Sequence, residues 1–434
     1  DIESAPNFME TCTCHLDKMK DGNCTSDEED DFVFLSKEEL ILKCKELRFE
    51  NQKLRKQLDN FNLQRIKNIK KKEHKQRPFH FESYRSHRIA LKFLYLGWDY
   101  QGLANQETTN NTIEDAIFNA MIKAKLIEDR VLCKYSRCGR TDKGVSAFGQ
   151  VIALNVRSNT LVSEEEDTRE EISYVRLLNK ILPPEIRMLA FARVPQDFDA
   201  RFDCDTRMYK YFFPAKRMDI KLMDAAAQKF VGEKDFRNFC KVDVGNNVNH
   251  FIRNIVSFKV QMLNNVDLVD ICEMEITGLA FLWHQVRCMV AVLLLIGLGV
   301  EKPEIIDHLL DVESCPKRPQ YELASEIPLV LYDCTYDDKI NWCYDIESNT
   351  QNVNILQKKF TIFTVQSAII ASMLKDLNAN SNTSVAGILP TFKEKDHKPI
   401  DKRAVCEGLN RHLEKQTAKR LKRQETSASR TCIY

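Results

Sequence analysis

Much of what cofactor enzymes and secreted proteins carry is missing from this 434-residue chain. No glycine-rich phosphate loop follows any expected strand, which argues against a bound nucleotide cofactor. The 15 cysteines are odd in number, scattered, and never spaced as CxxC. Cys12, Cys14 and His15 lie together, but no second ligand pair follows at zinc-site spacing. That pattern speaks for reduced cytosolic or nuclear thiols and against a metal centre or a disulfide framework. Long apolar runs are missing as well. The most apolar segment, MVAVLLLIGLGV at 289–300, is 12 residues long, short of a membrane span and suited to a buried helix. Net charge is nearly absent, with 64 Lys+Arg against 63 Asp+Glu. The expectation is a soluble protein of the nucleus and/or cytoplasm with no membrane partner. The sequence starts at Asp1 rather than Met, so its first residues do not decide whether a targeting segment precedes it.

What is present is unevenly placed. Residues 1–35 are polar and acidic, ending their charge run in SDEEDD, and are expected to be disordered. Ser36 and Glu39 form a capping box that opens a helix over 36–64. Leu40, Leu47, Leu54 and Phe61 recur every seven residues, with Cys44, Asn51 and Leu58 on the alternate seam. That is a short coiled-coil pattern with one polar seam position, suited to dimerisation. A basic linker occupies 65–87. Residues 88–200 and 201–340 each alternate strand-like and helix-like segments, which predicts an α+β fold with a largely antiparallel sheet covered by helices. FTIFTVQSAIIASMLKDL, 360–377, reads as one more helix in a C-terminal extension over 341–434. Residues 393–423 hold 11 Lys/Arg and 5 Asp/Glu, a local net of +6 that suits phosphate contacts or nuclear import.

The stretch YSRCGRTDKGVSAFGQVIAL, 135–154, sets Asp142 between Arg140 and Lys143 in a glycine-bounded turn that enters an apolar strand. Asp-Lys-Gly is good turn chemistry by itself. The same carboxylate, among Arg137, Arg140 and Lys143, is also held ionised by opposite charge, and a desolvated ionised carboxylate is a competent nucleophile or base. The turn alone leaves both readings open.

GRTDKGVSAFGQVI closely resembles the signature loop of the TruA family of tRNA pseudouridine synthases. LGWDYQG at 96–102 is similar to that family's opening strand and turn, FDARFDCDTRMYKYFF at 198–213 to its second motif, AFLWHQVRCMVAVLLLIGLG at 280–299 to its third, and IPLVLYDC at 327–334 to its last active-site strand. The motifs run in order over roughly 88–337. Ser146 stands where bacterial members often carry His, and Pro328 where they often carry Gly. ANQETTNNTIE, DFRNFCK and RPQYELASEIPLVLYDC add a closer resemblance to the eukaryotic branch that modifies positions 38 and 39 of the tRNA anticodon arm.

The resemblance implies two ferredoxin-like halves around one sheet, a homodimer, and an isomerase that needs no cofactor. It implies Asp142 as the catalytic carboxylate, Arg140 as the side chain that holds the gap left by a flipped base, Tyr209 stacked on the uracil, and Arg287 as the partner of Asp142. It also implies Leu329 on the apolar side of the pocket. Arg137, Lys143, Arg201 and Arg207 are expected RNA contacts, with the anticodon stem-loop as partner. The competing expectations are other tRNA positions or other RNA targets, a non-catalytic RNA-binding protein on the same scaffold, and a coiled-coil adaptor.

Overall fold

The computed structural model describes residues 79–163, 170–215, 217–241, 250–263, 270–336, 340–379 and 397–406. The heptad helix, the acidic N-terminus, Lys216 and most of the basic tail lie outside them.

Strand β1 (Tyr84–Tyr95) carries the run IALKFLY and is buried almost continuously from Ile89 onward, so that both of its faces are covered. It begins earlier than the apolar texture suggested, because Tyr84 and Ser86 pair across to Leu161 and Arg157. The remaining strands are β2 (Ser136–Arg137), β3 (Ser146–Leu161), β4 (Ile186–Arg193), β5 (Thr206–Pro214), β6 (Gly232–Asp235), β7 (Ile252–Met262), β8 (Ile271–Gly278), β9 (Leu329–Thr335) and β10 (Cys343–Tyr344). They form one ten-stranded sheet in the order β10-β4-β1-β3-β9-β5-β8-β7-β6, with β2 paired to β3. Every pairing is antiparallel except β3 with β9, where Ser146 faces Val330 and Ala147 faces Leu331. The fold is therefore α+β with a mostly antiparallel sheet.

Helices cover the sheet. Helix α1 (Ile113–Lys123) starts where the Thr112 hydroxyl accepts the Asp115 N–H at 3.2 Å, and Glu114 and Asp115 complement the positive end of the helix. Helix α2 (Tyr174–Asn179) is shorter than the pattern over 171–182 suggests. Helix α3 (Ile220–Ala227) is capped by Asp219, which accepts the Leu222 N–H at 2.9 Å. Helix α4 (Gln285–Gly297) is apolar nearly all round and buried nearly all round. Gly297 lets α3 and α4 approach, since a Cβ there would lie 2.3 Å from the Met223 sulfur. Helix α5 (Glu304–Leu310) and the long helix α6 (Ile346–Ala379) follow. Helix α6 starts at Ile346, several turns ahead of the apolar pattern over 360–377 that announced it.

Two buried cores result. One gathers Ile89, Leu91, Phe93, Ile117, Leu154 and Met188; the other gathers Phe230, Phe236, Phe258, Met274, Ile276 and Leu293. The central strands β9 and β5 serve both, with Leu331 in the first core, Leu329 in the second, and Tyr209 packed against each. The Asp142 turn enters β3 at this same meeting line.

Candidate active site

Asp142 lies in a turn built by close backbone approach. Val145 N–H bonds to the Asp142 carbonyl at 3.2 Å, and Gly144 adopts a φ of +78°, which an L side chain resists. The loop over 97–103 cradles the turn. Leu103 N–H reaches the Thr141 carbonyl at 3.2 Å, and Gly144 N–H reaches that of Tyr100 at 3.2 Å. Gly97 is required there because a Cβ would sit 1.9 Å from the Val145 carbonyl oxygen. Below the turn, the Tyr95 and Thr141 hydroxyls share a hydrogen bond of 2.7 Å, and the Gln150 amide donates to the Gly139 carbonyl at 3.0 Å. Ser146 is a structural part of the cradle, its hydroxyl accepting the Gly97 N–H at 3.0 Å.

The carboxylate faces three N–H donors from the entry of α4. His284 Nε2 stands 3.0 Å from Oδ2, Trp283 Nε1 3.3 Å from Oδ1, and Arg287 Nη1 3.8 Å from Oδ2. Burial pushes the Asp142 carboxyl up, but the hydrogen bond and charge of His284, then the Arg287 guanidinium and the Trp283 indole, outweigh it and hold the group below the ordinary carboxylate value. Asp142 remains 31% exposed, so the ionised oxygen is reachable.

His284 is aimed by unusual backbone. It caps α4 in the left-handed region, with φ 63° and ψ 11°, a conformation sparsely used by non-glycine residues and concentrated at functional sites. Its ring stacks on Trp283 at 4.3 Å between centroids. Residues Trp283 and His284 were not singled out from the sequence, although both sit in the motif AFLWHQVR, one helical turn before Arg287.

Arg287 is brought to Asp142 as expected, but it holds a closer acid. Its Nη2 donates to Glu326 Oε2 at 2.7 Å and its Nε to the Ala324 carbonyl at 2.8 Å, with the side chain 12% exposed. The guanidinium thus bridges two carboxylates and ties α4 to the segment before β9. Tyr209 lies edge-on to Phe281 with centroids 5.1 Å apart. Burial, then the Cys334 and Cys138 thiols, push its phenol far above the ordinary range, so it is a neutral hydroxyl at any physiological pH. Leu329 is buried in the second core. Ile327 is an exposed apolar side chain beside the turn, its Cδ1 close to Gly144, and its backbone carbonyl accepts the Trp98 indole N–H at 3.3 Å.

The expected RNA contacts divide. Arg140, Lys143 and Arg201 are exposed. Arg137 instead pairs with Glu114, a carboxylate only 1% exposed that also takes Arg130, the Tyr135 hydroxyl at 2.7 Å and the Asn105 N–H at 3.0 Å. Arg207 donates to the carbonyls of Leu279, Arg201, Cys204 and Cys138. Both arginines brace the loop from within.

A family model described as tRNA pseudouridine synthase matches residues 226–337. The tRNA pseudouridine(38/39) synthase of Bos taurus is 42% identical over 430 residues, covering 89% of this chain and 89% of that protein. The protein of the same name from Homo sapiens is 42% identical over 418 residues, covering 87% of each. The one from Saccharomyces cerevisiae is 39% identical over 397 residues, covering 87% of this chain and 89% of that protein.

Proposed function

Since this chain belongs to the family of tRNA pseudouridine synthases, we propose that it isomerises uridine to pseudouridine at positions 38 and 39 of the tRNA anticodon arm, with Asp142 as the reacting carboxylate. The observation that carries the assignment is the set of His284, Trp283 and Arg287 N–H groups around an ionised, partly exposed Asp142.

The reaction breaks the bond between N1 of uracil and C1′, turns the base, and joins C5 to C1′. C5 loses a proton and N1 gains one, so nothing is oxidised and no phosphate moves. The target base is stacked and must leave the stack first, at a cost of a few kcal/mol that is least near a loop. Arg140, exposed beside Asp142, suits the gap left behind, because its flat guanidinium stacks and also bonds phosphate. Asp142 then acts at the sugar, by attack at C1′ or removal of the C2′ proton. Either route needs the ionised carboxylate at neutral pH, which the three donors favour. Tyr209, a neutral phenol, offers a ring face to the base and a hydroxyl donor rather than an anionic base. Ile327 and Leu329 bound the apolar side.

The homodimer belongs to the same proposal. Helix α6 supports it. Its first turns dock on the body through Asn352, which donates to the Met188 carbonyl at 3.0 Å, and Lys359, which pairs with Glu185 at 2.8 Å. Beyond them Phe360 is 72% exposed, and Ile370, Met373 and Leu377 are exposed as well. By length and composition this helix is apolar enough to cross a membrane, but the docked first half favours a second copy as its cover.

Nucleotide-resolved mapping of pseudouridine in tRNA treated with wild type or Asp142→Asn tests the assignment. Conversion of positions 38 and 39 by the wild type alone is expected. Conversion by the variant, or conversion by the wild type only elsewhere, overturns it.

A further inference from the structure

Arg287 stands between two acids, although one would neutralise it. Its Nη2 donates to Glu326 Oε2 at 2.7 Å, while its Nη1 lies 3.8 Å from Asp142 Oδ2. The nearer acid is not the one that reacts. A buried guanidinium needs a single carboxylate, and surplus negative charge beside a site for RNA opposes the binding of a polyanion. Glu326 therefore calls for a reason other than neutralisation.

Its position is fixed from both sides. The Leu329 N–H bonds to the Glu326 carbonyl at 3.1 Å, and the Trp98 indole donates to the next carbonyl, that of Ile327, at 3.3 Å. The Glu326 Cγ lies against the Asp142 turn, where a Cβ on Gly144 would meet it at 3.1 Å. Arg287 is anchored by the same segment. Its Nε donates to the Ala324 carbonyl at 2.8 Å, and its own carbonyl accepts the Ala324 N–H at 3.3 Å. The guanidinium cannot close on Asp142 without giving up its short bond to Glu326.

We infer that Glu326 is a positioning residue for the isomerisation: it holds Arg287 back from Asp142, so that the carboxylate is ionised but not locked in an ion pair. The inference rests on Asp142 as the reacting group.

Two demands on Asp142 compete. Ionisation requires opposite charge nearby. Reactivity requires that the anion not be stabilised more before the reaction than during it. A short charge-assisted bond from Arg287 would meet the first demand and oppose the second. Glu326 takes that bond and leaves Asp142 the long contact, beside the His284 and Trp283 donors. The other ionisable groups at hand do not substitute for it. Arg140 and Lys143 of the turn are exposed. Burial keeps two phenols protonated, Tyr100 in the 97–103 loop and Tyr211 on β5, the latter facing Arg287 and Glu326.

The pH dependence of kcat/KM reports ionisations of the free enzyme. It is measured on whichever uridine of a tRNA anticodon stem-loop the wild type converts. Glu326→Gln keeps the size of a side chain that is 34% exposed and removes its charge. Arg287 then turns to Asp142, whose folded-state pKa falls further, and the ionised form survives to lower pH. The acidic limb should move to lower pH, with a several-fold loss of kcat on the plateau and no rise in KM. The same shift in a His284→Asn background assigns it to Asp142 rather than to the imidazole. Glu326→Ala should repeat it, and Glu326→Asp, which keeps the charge, should stay near the wild type. A limb that moves to higher pH would make Glu326 an aid to the Arg287–Asp142 pair. An unmoved limb in the Gln and Ala variants, or its absence in the His284→Asn background, would leave Glu326 no hold on Asp142, and an Asp variant matching Gln would remove the role of its charge. Each of these overturns the inference. An inactive Asp142→Asn beside a wild-type profile for Glu326→Gln defeats this inference alone, whereas an active Asp142→Asn defeats the assignment of Asp142 beneath it.

Discussion

Replacing His284 with Asn isolates the least expected part of the site. Asn tolerates the left-handed backbone better than most residues, so the φ of 63° at this position is retained. Its shorter amide withdraws the donor that stands 3.0 Å from Asp142 Oδ2. A hydrogen bond to a charged group contributes about 1.5–3 kcal/mol, and each ~1.4 kcal/mol is a factor of ten in rate. If the bond is kept through the transition state, kcat/KM should fall roughly 10- to 150-fold. The pH profile separates chemistry from mere disturbance. Asp142 has a depressed folded-state pKa, so its ionised form is favoured above that value and lost as pH falls through it. Without His284 the depression shrinks and the acidic limb of kcat/KM moves to higher pH. Single-turnover conversion of an anticodon stem-loop across the acid range measures both quantities. A folded variant with wild-type rate and an unmoved acidic limb would refute a role for His284 at the carboxylate, and a slow variant with an unmoved limb would reduce that role to packing.

Other consequences follow from the same geometry. Gly97→Ala should lower the melting temperature and abolish conversion, because its Cβ would lie 1.9 Å from the Val145 oxygen, whereas Gly139→Ala meets nothing within 4 Å and should be tolerated in the same melting assay. Glu114→Gln leaves Arg130 and Arg137 without their buried anion and should cost about 3–5 kcal/mol in denaturant titration; an unchanged midpoint would mean that the cluster braces nothing. Phe360→Glu/Ile370→Glu should shift the protein toward monomer in light scattering if α6 carries the dimer, and unchanged mass would place the contact elsewhere.

The motifs made the site legible as a set of positions but not as a set of contacts. The Asp142 turn, the β3 strand after it and buried helix α4 announced themselves through local signals: turn chemistry, β-branched residues and apolar density. Two-residue strands such as β2 and β10 carry no periodicity, and α5 is only seven residues long. The opening turns of α6, from Ile346 to Lys359, went unseen because they are largely polar. The electrostatic partners were least visible. Arg137 lies close to Asp142 in sequence, yet its charge is engaged by Glu114 on α1. Arg287 was expected as the partner of Asp142, and it is, yet Glu326 holds it more closely. Nothing local encodes a pairing between a helix and a distant loop, or the choice of His284 as the nearest donor.

The central claim is that one ionised oxygen of Asp142 carries the chemistry while the rest of the surface binds RNA. It is tested most directly by measuring tRNA affinity and single-turnover conversion side by side for Asp142→Asn. This change keeps the size of the side chain at a position 31% exposed, so the fold should be nearly unaffected. The account predicts a Kd within a few-fold of wild type and a conversion rate reduced by about 10⁴ or more, on the scale of losing an essential catalytic group. Conversion at the wild-type rate by a variant that binds tRNA normally would contradict it.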